Sequence, residues 1–143
     1  MTTEHSGHDC VFCKIAAGQA PASVVYEDDE LTTIMDLRPV TTGHVLVLPK
    51  AHSVGLADLP ADLGARMFQV AQQVAAAMRG SGMRCEGINL FLADGVAAGQ
   101  EVFHVHLHVI PRYAGDGFRV SAGTRVQQRG ELDSMAATLR KAW

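Results

Sequence analysis

The fold is decided by the stretch Gly99-Gln100-Glu101-Val102-Phe103-His104-Val105-His106-Leu107-His108-Val109-Ile110-Pro111-Arg112. Three of the seven histidines of the chain alternate here with aliphatic residues. Such alternation predicts a half-buried β-strand, in which every second side chain shares one face. We therefore expect three imidazoles on one surface of a sheet and the aliphatic side chains in the core.

This row of histidines is compatible with more than one chemistry. Same-face neighbours on a strand lie about 6.6 Å apart, and the outer pair about 13 Å apart. Two neighbouring imidazoles can converge on one zinc ion, but a third ligand would then come from elsewhere in the chain. The row can instead run beside an extended charged substrate such as a polyphosphate. A merely solvated face is the least favoured interpretation, because histidine is suited to attack, proton transfer or metal binding near neutral pH.

Length and composition predict one globular domain. The chain has 143 residues, of which 48% are hydrophobic, and this is enough to bury a core. Its formal net charge of −3 argues against a nucleic-acid partner, which normally requires a basic surface. No apolar run is long enough for a membrane span, and the N-terminus lacks the form of a signal peptide. We expect no membrane association and a cytoplasmic location.

The three cysteines suit a reducing compartment better than a disulfide framework. Two of them form Cys10-x-x-Cys13, a spacing with three interpretations. A redox dithiol usually follows a strand, and none is predicted here. Two unpaired thiols are the simplest alternative. A zinc site would need two further ligands, which the histidines can supply.

Periodicity and turn residues predict the remaining elements. Residues 1–9 are expected to be a mobile tail, and 10–143 a single domain. A short helical stretch is predicted at 10–17, strands at 23–26, 31–36, 44–49 and 88–92, an amphipathic helix from 60 to about 79, and a C-terminal helix at 133–143. Asp58 is the candidate N-cap of the long helix. The segment 118–128 is either a further strand or a loop.

Several separated motifs resemble those of one known family. The stretch 104–110, with its lead-in from 98 and its exit Pro111-Arg112, is similar to the signature of the histidine triad (HIT) family of nucleotide hydrolases and transferases. The stretches 10–15 and 36–52 resemble the same family. The resemblance implies an α+β, HIT-like fold: an antiparallel sheet of about five strands, one long helix and a C-terminal helix. It also implies a homodimer.

The resemblance further implies a reaction and the residues that perform it. The middle histidine would attack the α-phosphate of a purine nucleotide, such as an adenosine phosphoramidate or a diadenosine polyphosphate, and form a nucleotidyl-histidine intermediate. The residues implied for catalysis are His106, His108 and His44. The residues implied for binding the AMP moiety are Ile34, Asp36, Leu37, Gly99, Gln100 and Glu101.

The resemblance also selects among the interpretations of the cysteine pair. Some members of the family bind structural zinc through such a pair, the histidine after Pro-Lys and the first histidine of the triad. In this chain those residues are Cys10, Cys13, His52 and His104. Nothing in the sequence resembles a Walker loop or a carboxylate pair for magnesium, so we expect a reaction that requires no catalytic metal.

The chain departs from the family pattern at two positions. Ala93 stands where the family usually carries an amide that contacts the phosphate or orients the nucleophile, and Asp94 beside it would repel a phosphate. Glu101 stands where serine or threonine is frequent, and it either donates a proton to the leaving group or faces the rim. Two alternatives follow: a non-catalytic, zinc-stabilised nucleotide-binding module, and a metal-dependent hydrolase that uses the histidine row.

Overall fold

The structure is a computed structural model that describes residues 9–143. Except for Asp9, the tail predicted at 1–9 lies outside the described residues. The helices are α1 (Val11–Ala16), α2 (Ala61–Gly80) and α3 (Arg129–Ala142). The strands are β1 (Val24–Glu27), β2 (Leu31–Met35), β3 (Val45–Pro49), β4 (Gly87–Phe91) and β5 (Leu107–Arg112).

The five strands form one antiparallel sheet in the order β1-β2-β3-β5-β4. The α+β fold predicted from the sequence is confirmed. The turn between β1 and β2 is ordered by Asp28, which accepts hydrogen bonds at 2.8 Å from the backbone N–H groups of Glu30 and Leu31. Asp28 also pairs with Arg66 at 2.8 Å, and this contact ties the hairpin to α2.

Alternation along the strands gives the sheet two different faces. One face packs against α2 and forms an aliphatic core. This core consists of Leu31, Val45, Val47, Met67, Val70, Ala71, Val74, Met78 and Val109. The other face carries Ile34, Leu46 and Leu48, which pack against Cys10 and Phe12 at the start of the chain. His108 pairs with Leu46 across the sheet and shares this second face.

The triad strand is shorter than the alternation predicts. β5 begins at Leu107, so His104 and His106 precede it. The N–H of Val105 donates to the carbonyl of Ser53 at 2.7 Å, and the His104 ring is completely buried. The expectation of three imidazoles along one regular strand is therefore wrong. The ring of His104 instead contacts the thiol of Cys10 and the carbonyl of Pro49, which are tertiary contacts that the alternation does not predict.

Two further expectations about element ends are corrected. Asp58 does not cap α2, whose N-cap is Pro60; its carboxylate instead accepts from the N–H groups of Val54 and Gly55, at 2.8 and 2.9 Å. Of the two alternatives predicted for the segment 118–128, the structure shows the loop. α3 begins four residues earlier than predicted because Gln128 and Glu131 form a capping box.

Among residues 9–143, no helix is long and apolar enough to cross a bilayer.

Candidate active site

His106 has the hydrogen bond that an attacking imidazole requires. Its Nδ1–H donates to the carbonyl oxygen of His104 at 2.7 Å. A neutral imidazole carries one proton, so this contact assigns the proton to Nδ1 and leaves a lone pair on Nε2. Burial lowers the pKa of His106, although the carbonyl contact opposes that effect. The ring is therefore neutral near pH 7, with Nε2 available as a nucleophile.

Three neighbouring strands bring a second group of side chains to the same place. Asp36 follows β2, His44 precedes β3, and His108 lies in β5. The N–H of Val40 donates to His44 Nδ1 at 3.1 Å, so the proton of His44 is on Nε2. This Nε2–H donates to His108 Nδ1 at 2.8 Å, which in turn assigns the proton of His108 to its Nε2. The backbone thereby makes His108 a hydrogen-bond donor toward the site.

Electrostatics keeps both members of this relay neutral. Burial has the largest effect on the pKa of His108 and, together with the neighbouring His106 and His44 and against the opposing effect of Asp36, lowers it to about 4. Burial also lowers the pKa of His44, while Asp36 opposes the change. The ring centroids of His106 and His108 are 4.8 Å apart. A lone pair and an N–H donor thus lie side by side, which suits attack at a phosphorus atom and stabilisation of its oxygens.

The carboxylate of Asp36 lies next to this relay. Its Oδ1 accepts from the N–H of Arg38 at 2.8 Å, and its Oδ2 lies 3.5 Å from His44 Nε2. The donor atoms of Asp36, His44 and His108 all lie within 4.8 Å of one another, a spacing compatible with a metal ion. However, His44 Nε2 carries a proton because its Nδ1 accepts from Val40. We therefore describe this group as a hydrogen-bonded relay.

The side chain of Gln100, which the family resemblance implies for substrate binding, forms its hydrogen bonds within the protein. Its side chain is 5% exposed, and its Oε1 accepts from the N–H of Gly95 at 2.8 Å. Its amide group donates to the carbonyls of Val54 and Val102, at 2.6 and 3.2 Å. Both donor directions are used within the protein. Gln100 thus braces the loop that leads into the triad and presents no free amide to a phosphate.

The other residues implied for substrate binding are distributed between rim and core. Leu37 is 95% exposed and Glu101 is also exposed, so both lie at the surface. Ile34 is buried at 4% exposure and packs within the sheet core. Gly99 has φ of 87°, which favours glycine, and its N–H donates to Val96 at 2.9 Å. Ala93 is buried and offers no side-chain donor.

The second candidate site is the Cys/His cluster, defined by Cys10, Cys13, His52 and His104. His104 Nδ1 lies 3.3 Å from Cys10 Sγ and 3.5 Å from Cys13 Sγ, and His52 Nδ1 lies 3.3 Å from Cys13 Sγ. One ligand atom from each residue falls within 4.8 Å of the others.

The hydrogen bonding of the Cys/His cluster fits a zinc ion. His104 Nε2–H donates to the carbonyl of Pro49 at 2.7 Å, which leaves the Nδ1 lone pair directed at the sulfurs. Such a contact is how proteins orient a ligating histidine. Burial, together with Cys10, raises the pKa of the Cys13 thiol to about 11, and burial lowers the pKa of His104 to about 4. Metal binding would therefore release protons from the thiols.

Phe12 is a residue that the sequence patterns did not single out. It is 8% exposed, and its ring meets the rings of His104 and His106 edge-on, at centroid distances of 5.8 and 5.0 Å. Its position inside the Cys-x-x-Cys spacing was the available signal. The backbone groups of Val40 and Pro49 were missed as well, because a sequence does not specify which carbonyl or N–H a side chain will meet.

Comparisons with known proteins find a family profile and several similar proteins. The HIT domain profile matches residues 17–115. An uncharacterised HIT-like protein of Mycobacterium tuberculosis is 43% identical over 133 residues, 93% of this chain and 92% of that protein. An adenylylsulfatase of Arabidopsis thaliana is 37% identical over 133 residues, 92% of this chain and 66% of that protein. The crystal structure of a zinc-bound histidine triad family protein from Mycobacterium smegmatis is 44% identical, with a TM-score of 0.75, and the match covers 96% of this chain and 100% of that one.

Proposed function

The chain belongs to the histidine triad family, and we propose that it hydrolyses the α-phosphate linkage of adenosine phosphoramidates or diadenosine polyphosphates. The observation that carries this proposal is the pair of complementary tautomers in the site. His106 offers an Nε2 lone pair, and the adjacent His108 offers an Nε2–H donor. Each assignment follows from a hydrogen bond to the backbone or to a histidine that is itself bonded to the backbone.

The reaction proceeds by two displacements at phosphorus. Nε2 of His106 attacks the α-phosphorus, the N–P bond forms, and the bond to the amine or phosphate leaving group breaks. The leaving group takes a proton from solvent. Water then attacks the same phosphorus, the N–P bond breaks, and AMP and a proton are released. His108 donates to a non-bridging oxygen in both steps, while the carbonyl of His104 stabilises the ring as it gains positive charge.

Other residues orient the nucleotide. In this proposal the carboxylate of Asp36 accepts hydrogen bonds from the ribose hydroxyls, and the exposed Leu37 packs on the purine. Gln100 acts indirectly by holding the loop, and Ala93 supplies no contact, so His108 provides most of the contact to the phosphate. The similarity to an adenylylsulfatase supports an adenylyl group as the substrate.

We further propose a structural zinc ion, a homodimer and a cytoplasmic location. The zinc would be held by the Cys/His cluster, and the 44% identical zinc-bound protein supports it. It would tie α1 to the segment that bears the nucleophile. The homodimer is supported by β4, an edge strand whose Leu90 and Phe91 are 38% and 47% exposed, because unpaired edges favour association. The three free cysteines suit a reducing compartment.

The decisive experiment compares the parent protein with His106→Ala on an adenosine phosphoramidate and a diadenosine polyphosphate. We expect AMP release by the parent and a decrease of about 10⁴-fold or more in the variant, since removing a covalent nucleophile abolishes the route. The ratio of the two parent rates identifies the preferred substrate.

A second function is favoured by one observation, the absence of an amide at Ala93. If the parent binds AMP but turns over neither substrate, then the protein is a nucleotide-binding module with a zinc-stabilised fold. Equal turnover by the parent and His106→Ala would instead refute the role of His106.

A further inference from the structure

His104 connects the Cys/His cluster to the proposed nucleophile through two different groups. Its imidazole Nδ1 faces Cys10 Sγ at 3.3 Å, whereas its backbone carbonyl accepts the Nδ1–H of His106 at 2.7 Å. The ring is completely buried, and its Nε2–H is bonded to the carbonyl of Pro49. A displacement of the His104 ring therefore displaces the carbonyl that fixes the tautomer and the orientation of His106.

Phe12 is a second connection between the same two places. It lies in α1, a helix of six residues, and isolated helices shorter than about 12 residues are unstable in water. α1 thus depends on its tertiary contacts, among them those of Cys10 and Cys13 on either side of Phe12. The Phe12 ring lies edge-on to His106 with a centroid distance of 5.0 Å, and it limits rotation of that imidazole.

We propose that occupancy of the Cys/His cluster by a transition-metal ion sets the reactivity of His106, with Phe12 as a positioning residue. The proposal rests on the proposed function and on the proposed metal site. Metal bound at the cluster would hold α1 and His104 in place, and both would hold His106. Loss of the metal would release α1 and leave the nucleophile free to rotate away from its carbonyl. The activity would then follow the supply of metal although the metal takes no part in the reaction.

The expected effect falls on turnover and not on binding. The hydrogen bonds that orient Asp36, His44 and His108 go to the backbone of Arg38 and Val40 and between the two histidines, and none of them involves a residue of the Cys/His cluster. A misplacement of about 1 Å in a reacting group can cost about 100-fold in rate. We therefore expect kcat to fall about 100-fold on metal removal while KM changes by less than about threefold.

The test compares zinc-loaded and chelated protein at one fixed pH, with two variants. Phe12→Leu keeps all four ligands and an apolar side chain, and Cys85→Ser removes a thiol that lies outside the cluster. The measurements are zinc content per chain, the ring N–H signal of His106 in ¹⁵N-resolved NMR spectra, and kcat and KM for an adenosine phosphoramidate.

The proposal predicts one zinc per chain and a protected His106 ring N–H in the loaded parent. Chelation removes that signal and lowers kcat, and added zinc restores both. Phe12→Leu binds zinc like the parent but has a kcat about tenfold lower with the parent KM, since one of two positioning contacts is lost. Cys85→Ser behaves like the parent throughout.

Three results would overturn the proposal. In the first, the parent chain binds no zinc. In the second, the chelated protein keeps the native circular dichroism and an unchanged His106 ring N–H signal. In the third, Phe12→Leu has the kcat and the His106 ring N–H signal of the parent, and this result is decisive even if chelation unfolds the protein. If the loaded parent turns over no substrate, the proposed function fails, and the zinc dependence of the ring N–H signal still decides the coupling.

Discussion

Replacing Gln100 by alanine distinguishes a loop brace from a phosphate ligand. The side chain is 5% exposed and makes three hydrogen bonds, to Gly95, Val54 and Val102. Each hydrogen bond to a buried group contributes about 1 kcal/mol, and its loss leaves a partner unsatisfied. We therefore expect Gln100→Ala to lower the free energy of unfolding by about 3 kcal/mol.

The assay is urea unfolding followed by circular dichroism, with thermal unfolding as a second measurement. For a chain of this size, 3 kcal/mol corresponds to a decrease in Tm of about 10 °C. The matched control is Gln72→Ala, because Gln72 lies on the exposed side of α2. We expect this control to change stability by less than about 0.5 kcal/mol.

One result would refute the role of Gln100 as a loop brace. If Gln100→Ala unfolds at the parent midpoint but loses most of its activity toward an adenosine phosphoramidate, then the Gln100 amide of the parent contacts the substrate. The hydrogen bonds described above would then have to rearrange when a nucleotide binds.

Three other perturbations have outcomes that follow from the structure. His44→Phe removes the hydrogen-bond donor to His108, so we expect kcat to fall about 100-fold with a smaller change in KM. Steady-state kinetics measures both constants, and NMR reports the tautomer of His108. In metal-free protein, burial lowers the pKa of His104 in the folded state to about 4, so the unfolded state binds more protons. The free energy of unfolding should therefore fall as the pH drops below about 6.5, by about 2 kcal/mol at pH 5. Urea titrations at several pH values measure this decrease. A His104→Gln protein should lose that part of the pH dependence. Gly43→Ala should destabilise by about 1–3 kcal/mol, because φ is +98° and the new Cβ would meet Met83; an unchanged urea midpoint would contradict this.

The sheet and the long helix were predictable because their signals are local and periodic. A continuous apolar run that ends at Pro49 predicts β3, and the 3.6-residue repeat predicts α2 to within one residue at each end. The beginning of β5 was not predictable in this way. Alternation continues through His104 and Val105, but the burial of His104 and the bond from Val105 to Ser53 override it. Only tertiary contacts distinguish the two outcomes.

The candidate site was predictable in its residue types but less so in their roles. The family resemblance, and not the spacing of the histidines and cysteines alone, implies the members of both groups of side chains, and the structure brings the members of each group together. The hydrogen bonds of Gln100 could not be predicted from the sequence, because its partners Gly95 and Val54 contribute backbone groups and Val54 is 46 residues away in the chain. Proton placement on His44 likewise depends on the N–H of Val40, which carries no sequence signal.

Neighbouring residues of a strand face opposite sides of the sheet and therefore pack against different parts of the protein. In β3, Val45 and Val47 face the helix α2, while Leu46 and Leu48 face the side that holds the histidines. A saturation mutagenesis of this strand should therefore give a tolerance profile with a period of two. Substitutions at all four positions would lower cellular abundance because all four side chains are buried, and those at Leu46 and Leu48 would lower specific activity as well. Selection for a new substrate would then act mainly on every second position of the strand.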